Sequence, residues 1–169
     1  RKPEARPLRS RVCFYSLTGT TRLLAEALAA RTVADMCEIR CPRYSEGAWV
    51  YLRGGWDALR GARPPVDADT ADEPVDCLLI GGPVWAGRPA PPLMSFLAGL
   101  SAPPDRIGIF MTGADDPEKS AARRSIPKVL GREPDAWLMM RAGDVRRGAH
   151  SDEIEDFLRD LSMHSDPKG

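Results

Sequence analysis

Ser16, Thr18, Thr20 and Thr21 place four hydroxyls within six residues, around the single glycine Gly19. The apolar run Val12-Cys13-Phe14-Tyr15 precedes them, and Leu23, Leu24, Ala27 and Leu28 follow at helical spacing. That pattern predicts a strand, a tight loop and a helix N-terminus. The unpaired N–H groups and dipole at a helix start favour an anion. A phosphate monoester carries about −1.5 to −2 charges at neutral pH, so it suits a nest of amides and uncharged hydroxyl donors. The chemistry expected here is capture of a phosphorylated ligand; the plainer reading is a Ser/Thr-rich cap on an ordinary helix.

A second segment, Gly81-Gly82-Pro83-Val84-Trp85-Ala86-Gly87, follows an almost unbroken apolar run. Its glycines permit close backbone approach and its proline stiffens the loop. Trp85 offers a flat face, and stacking of a base on such a ring is worth about 1–3 kcal/mol. The alternative is a tryptophan packed against the next helix. A third loop, Thr112-Gly113-Ala114-Asp115-Asp116, has small residues and two acids that read as a helix cap. No Ser/His/Asp set, carboxylate pair or metal-ligand spacing is present, so no catalytic side chain is assigned.

The elements that must position these loops alternate. Strands are predicted at about 11–16, 33–40, 75–82, 106–111 and 136–141, and helices at about 20–31, 91–100, 117–130 and 151–163, the last capped by Ser151. Trp49, Leu52, Trp56 and Leu59 form a helical stripe that Gly54-Gly55 interrupts, and 63–74 reads as a loop. Repeated strand–helix alternation implies an α/β fold with a three-layer, doubly wound, five-stranded parallel sheet. Of the orders such a sheet can take, 2-1-3-4-5 would bring the loops after strands 1 and 3 together. One domain over 11–163 is expected, with a mobile tail at 1–10 and a short tail at 164–169.

The hydroxyl loop is neither of two familiar nucleotide motifs. A Walker loop needs a lysine, and none lies between Lys2 and Lys119; the dinucleotide fingerprint needs three spaced glycines. It resembles the phosphate loop of flavodoxins, Ser/Thr-x-Thr-Gly-x-Thr with an alanine four residues on, at Ser16, Thr18, Gly19, Thr21 and Ala25. Cys13 and Thr20 depart from the usual residues. The family's Gly-x-Pro-x-Trp/Tyr-x-Gly is matched by Gly81, Pro83, Trp85 and Gly87. The resemblance spans 11–162 and implies the flavodoxin-like strand order 2-1-3-4-5 and an FMN cofactor. It assigns Ser16, Thr18, Gly19, Thr20 and Thr21 to the phosphate, and Pro83, Val84, Trp85, Ala86, Gly87, Thr112, Gly113 and Ala114 to the ring. The second aromatic that carrier flavodoxins often place in the third loop is missing. One flavin face is thus open or covered by the Tyr44–Trp56 segment.

Bulk properties narrow the function. The 169 residues carry 24 basic and 24 acidic side chains, a formal net charge of zero, which argues against a nucleic-acid-binding domain. No apolar run approaches the ~20 residues of a membrane span, and the N-terminal residues lack the apolar core of a signal peptide. Cys37 and Cys41, at strand spacing, lie about 13 Å apart, beyond the ~7 Å a disulfide allows. All four cysteines are expected as free thiols in a cytoplasmic protein. A phospho-receiver domain would need acids at the ends of strands 1 and 3, and neither place has them. Two readings of an FMN protein stay open. An oxidoreductase passing electrons from NAD(P)H to a small acceptor such as a quinone suits the open face. A carrier between protein partners is usually strongly acidic, and this chain is neutral. A flavin-binding accessory role also remains. Arg22 and Arg88 flank the expected site and could attract a dinucleotide phosphate.

Overall fold

In the computed structural model, residues 8–45, 47–69 and 74–163 are described. The expected alternation is present: β1 (Ser10–Phe14), α1 (Thr20–Thr32), β2 (Asp35–Arg40), α2 (Val50–Leu59), β3 (Asp67–Ala68), β4 (Cys77–Trp85), β5 (Arg88–Pro89), α3 (Pro91–Ala98), β6 (Arg106–Gly113), α4 (Ala122–Leu130), β7 (Ala136–Arg141), α5 (Ala142–Arg146) and α6 (Ser151–Met163). The parallel core runs β2-β1-β4-β6-β7, the predicted 2-1-3-4-5 order. Among the described residues the sheet has seven strands rather than five. Two-residue β3 pairs antiparallel on the β2 edge, inside the segment read as a loop, and β5 folds back on β4.

Alternation along the strands explains the three layers. In β1, Val12 and Phe14 point to one face with Leu24 and Leu28 of α1 and Ile154, Phe157 and Leu161 of α6. Cys13 joins Leu93, Phe96 and Leu97 of α3 and Ile126 of α4 on the other. Strands covered on both faces read as continuous apolar runs, as β4 does. Each large side chain buried this way contributes about 1.5–3 kcal/mol. Gly81 and Gly82, read as making room for a ligand, make room for core instead. A Cβ on Gly81 would overlap the Phe110 ring, and one on Gly82 would lie 3.1 Å from Leu93.

Several boundaries differ. Residues 1–7 and 164–169 of the expected tails lie outside the described residues. Arg9, placed in the mobile tail, already pairs: its carbonyl accepts from the N–H groups of Asp76 (2.8 Å) and Cys77 (3.2 Å). The helix expected from 117 splits into a 3-10 turn at Pro117–Lys119, capped by Asp116, and α4, where Ser120 Oγ accepts from Ala122 N–H. Ser151 is inside α6, whose Ile154 N–H bonds the carbonyl of His150, so His150 takes the cap position.

The largest departure is α2. It forms despite Gly54-Gly55, but the stripe Trp49, Leu52, Trp56 and Leu59 faces solvent, with Trp49 74% and Trp56 66% exposed. Its inner face is Val50, Gly54, Asp57 and Ala58. Buried Asp57 accepts from Tyr44 Oη (2.7 Å), Arg43 Nε (2.6 Å) and Arg60 Nε (3.0 Å). These donors, Arg43 first, draw its carboxyl down to about 2. The four thiols are free and buried. No helix among the described residues is long and apolar enough to cross a membrane.

Candidate functional site

The β1–α1 loop turns at Gly19, whose φ of 95° favours a residue without a side chain. Ser16 Oγ closes the loop by accepting from the N–H groups of Gly19 (3.1 Å) and Arg22 (3.3 Å). It therefore shapes the nest from behind rather than lining it. The first-turn amides of Thr20 and Thr21 have no intrahelical partners, as at any helix start. Thr21 Oγ1 lies 2.7 Å from Thr112 Oγ1, both buried, tying the loop to the end of β6.

The end of β4 supplies the second wall. Trp85 pairs with Arg88 across a two-residue turn in which Ala86 (φ 50°) and Gly87 (φ 74°) are both left-handed, a type I′ hairpin. Ala86 bears a strain of about 1 kcal/mol there. Gly87 does not face the cavity; its carbonyl accepts from Ala121 N–H (2.8 Å) and fastens the turn to α4. Trp85 is half-buried, its ring against the backbone of Gly54 and edge-on to Tyr15 (5.7 Å, 80°) and Tyr44 (5.2 Å, 84°). The two readings of this residue coincide: the indole packs on a helix, though the preceding one, and still lines the cavity. Burial raises the titration of the Tyr15 hydroxyl, which has no hydrogen-bond partner among the described residues.

These walls enclose a cavity of about 460 Å³. Thr18, Thr20, Thr21, Pro83, Val84, Trp85, Ala86, Thr112, Gly113 and Ala114, all expected from sequence, line it together. Ser16, Gly19 and Gly87 hold the loops without lining it. Sequence reasoning missed Leu17, Tyr51, Gly55, Ala142 and Arg146. Tyr51, on α2, is the aromatic of the Tyr44–Trp56 segment that faces the cavity; Tyr44 is buried below Trp85 and Trp56 points to solvent.

Arg146 changes the electrostatics expected of the site. It comes from α5, which packs on α1, and its Nε donates to Thr20 Oγ1 (3.3 Å). The hydroxyl nest therefore carries a fixed positive charge, which the sequence reading did not include. Arg22 is not at the site. It bonds Glu38 on β2 and lies 5.2 Å over the Phe14 ring. Arg88 lines a different cleft. Among the described residues no group of His, Cys, Asp or Glu could hold a metal ion.

One end of the cavity thus offers hydroxyls, helix-start amides and a guanidinium, and the other offers an indole, a phenol and small residues. A phosphate on a planar ring system fits both ends. No protein-family model matches the chain, and no curated protein matches it. Solved structures do. A flavoprotein from Lactobacillus acidophilus in complex with FMN is 20% identical, with a TM-score of 0.66, covering 84% of this chain and 99% of that one. The apo-form of the flavoprotein from that organism is 22% identical, with a TM-score of 0.64, covering 81% and 93%. A short-chain flavodoxin associated with a PDU bacterial microcompartment is 11% identical, with a TM-score of 0.51, covering 94% and 99%. The fold is flavodoxin-like.

Proposed function

We propose that this chain binds FMN and acts as an oxidoreductase, passing electrons from a reduced nicotinamide nucleotide to a small acceptor such as a quinone. The observation that carries the reading is the cavity with Thr20 and Arg146 at one end and Trp85 at the other. The FMN bound by its structural relative supports it.

FMN, when bound, supplies the electron and hydride chemistry, so the chain's task is to hold and orient it. The amides of Thr20 and Thr21, the hydroxyls of Thr18 and Thr20, and the guanidinium of Arg146 would take the phosphate; Arg contributes a permanent charge and forked donors. Thr112, Gly113 and Ala114 would meet the ring edge. Trp85, braced by Gly54, Tyr15 and Tyr44, would cover one ring face. Tyr51 is 64% exposed and stands at the cavity mouth on a helix rather than in the third loop. That placement leaves room for a small reactant to enter.

The test is anaerobic mixing of the FMN-loaded protein with NADH and with NADPH, followed by a benzoquinone. Rapid bleaching of the flavin absorbance and its return on adding the quinone support the enzyme. A flavin that neither nucleotide reduces contradicts it and leaves the carrier.

A further inference from the structure

A second cleft, of about 250 Å³, borders the same helix and hairpin as the first. The two share their dividing elements. On α2, Gly55 faces the first cavity and Ala58 the second, one helical turn or about 5 Å apart. On the β4–β5 hairpin, Trp85 and Ala86 face the first, while Arg88 and Pro89 face the second. The second cleft has an apolar floor that includes Met94 and Val129, and three cations line it: Arg63 after α2, Arg88 on β5 and Lys128 on α4. No carboxylate lines it. Among the described residues none of the three cations has an ion-pair partner, which is also true of exposed Arg53 and Arg124; what sets these three apart is that they line one cleft.

Three exposed cations around one apolar hollow, without an ion-pair partner among the described residues, repel one another, and an anion between them removes that repulsion. The anion must carry an apolar or flat body to use the floor. A volume of this size takes one heterocycle, not a dinucleotide. Arginine both stacks on such a ring and forks onto a phosphate.

We infer that this cleft binds the phosphorylated adenosine end of the electron donor, so that the protein selects a nicotinamide dinucleotide bearing a 2′-phosphate over one that lacks it. The inference rests on the flavin reading above, because it makes the neighbouring cavity the destination of the donor's other end. It replaces the expected pairing of Arg22 with Arg88 by Arg63, Arg88 and Lys128.

The experiment is isothermal titration of the FMN-loaded protein with 2′,5′-ADP and with 5′-AMP, alongside a separate FMN titration. Binding of 2′,5′-ADP is expected at least tenfold tighter than 5′-AMP, since an extra phosphate bonded by charged donors is worth about that factor. Lys128→Gln and Arg63→Gln should each weaken 2′,5′-ADP about tenfold and leave FMN affinity unchanged. The Michaelis constant for NADPH should rise in both variants while that for NADH stays put. Equal affinity for the two adenosines, no binding of either, or binding indifferent to both substitutions overturns the inference and leaves the flavin reading standing. A protein that binds 2′,5′-ADP but takes up no FMN keeps the cleft as a phospho-adenosine site and overturns the flavin reading, and with it the assignment of that ligand as an electron donor.

Discussion

Gly54 and Trp85 touch so closely that a Cβ on the glycine would lie 2.8 Å from Cε3 and Cζ3 of the indole. The contact sets both the depth of α2 and the tilt of the ring that borders the cavity. Gly54→Ala should therefore shift the indole or lift the helix, costing about 1–3 kcal/mol in urea unfolding and altering the tryptophan near-UV circular dichroism. Gly55 is the internal control. A Cβ there meets Ala86 Cβ at 3.8 Å, an ordinary contact. Gly55→Ala should be neutral or stabilising by up to about 1 kcal/mol through helix propensity. Equal losses in both variants would place the effect in the helix backbone rather than in the Trp85 contact.

Arg146→Ala should weaken FMN about tenfold or more and riboflavin hardly at all, because only FMN carries the phosphate. FMN affinity of the unaltered chain should also fall with added salt, and the variant should lose part of that slope. Flavin fluorescence titrations at two ionic strengths measure both.

Thr21→Val removes a hydroxyl and leaves that of Thr112 buried without its 2.7 Å partner. The expected loss is about 1–3 kcal/mol of stability, together with weaker FMN binding. Paired thermal melts with and without FMN separate the two effects. A variant as stable as the parent would show that the hydroxyl pair does not hold the loop.

Asp57 predicts an acid-sensitive step. Its carboxyl is drawn from 3.8 to about 2, first by the hydrogen bond from Arg43. A depressed carboxylate contributes fully above its ordinary value near 3.8 and loses that contribution as pH falls through about 2. Both arginine partners are half-exposed, so the contribution is about 1–2 kcal/mol. Unfolding free energy should drop over that window in the parent, and Asp57→Asn should flatten the drop while lowering stability at neutral pH.

Local signals made much of this legible. The hydroxyl loop and helix start needed only neighbouring residues, and alternation with right-handed crossovers gave the parallel doubly wound sheet; its strand order came from the likeness of the loops to those of flavodoxins. The α2 helix defeated the pattern because it meets the sheet through Gly54, Ala58 and a charge-satisfied Asp57, so the residues that look like core face solvent. Arg146 was hidden for another reason. It reaches Thr20 across 126 residues, and nothing in Val145-Arg146-Arg147 tells which arginine turns inward. Arg22 showed the converse error: close to the loop in sequence, it rotates on α1 toward Glu38. The short antiparallel strands β3 and β5 carry no periodicity long enough to read.

The end of the cavity formed by Thr20, Thr21 and Arg146 is proposed to receive a phosphate attached to a flavin. Titrating the flavin-free protein with FMN and with riboflavin, under identical buffer conditions, isolates the phosphate's share of the binding. FMN should bind with its fluorescence quenched and at least a hundredfold more tightly than riboflavin, as two or more charge-assisted phosphate contacts require. Equal affinity for the two flavins, or no uptake of FMN, would contradict it.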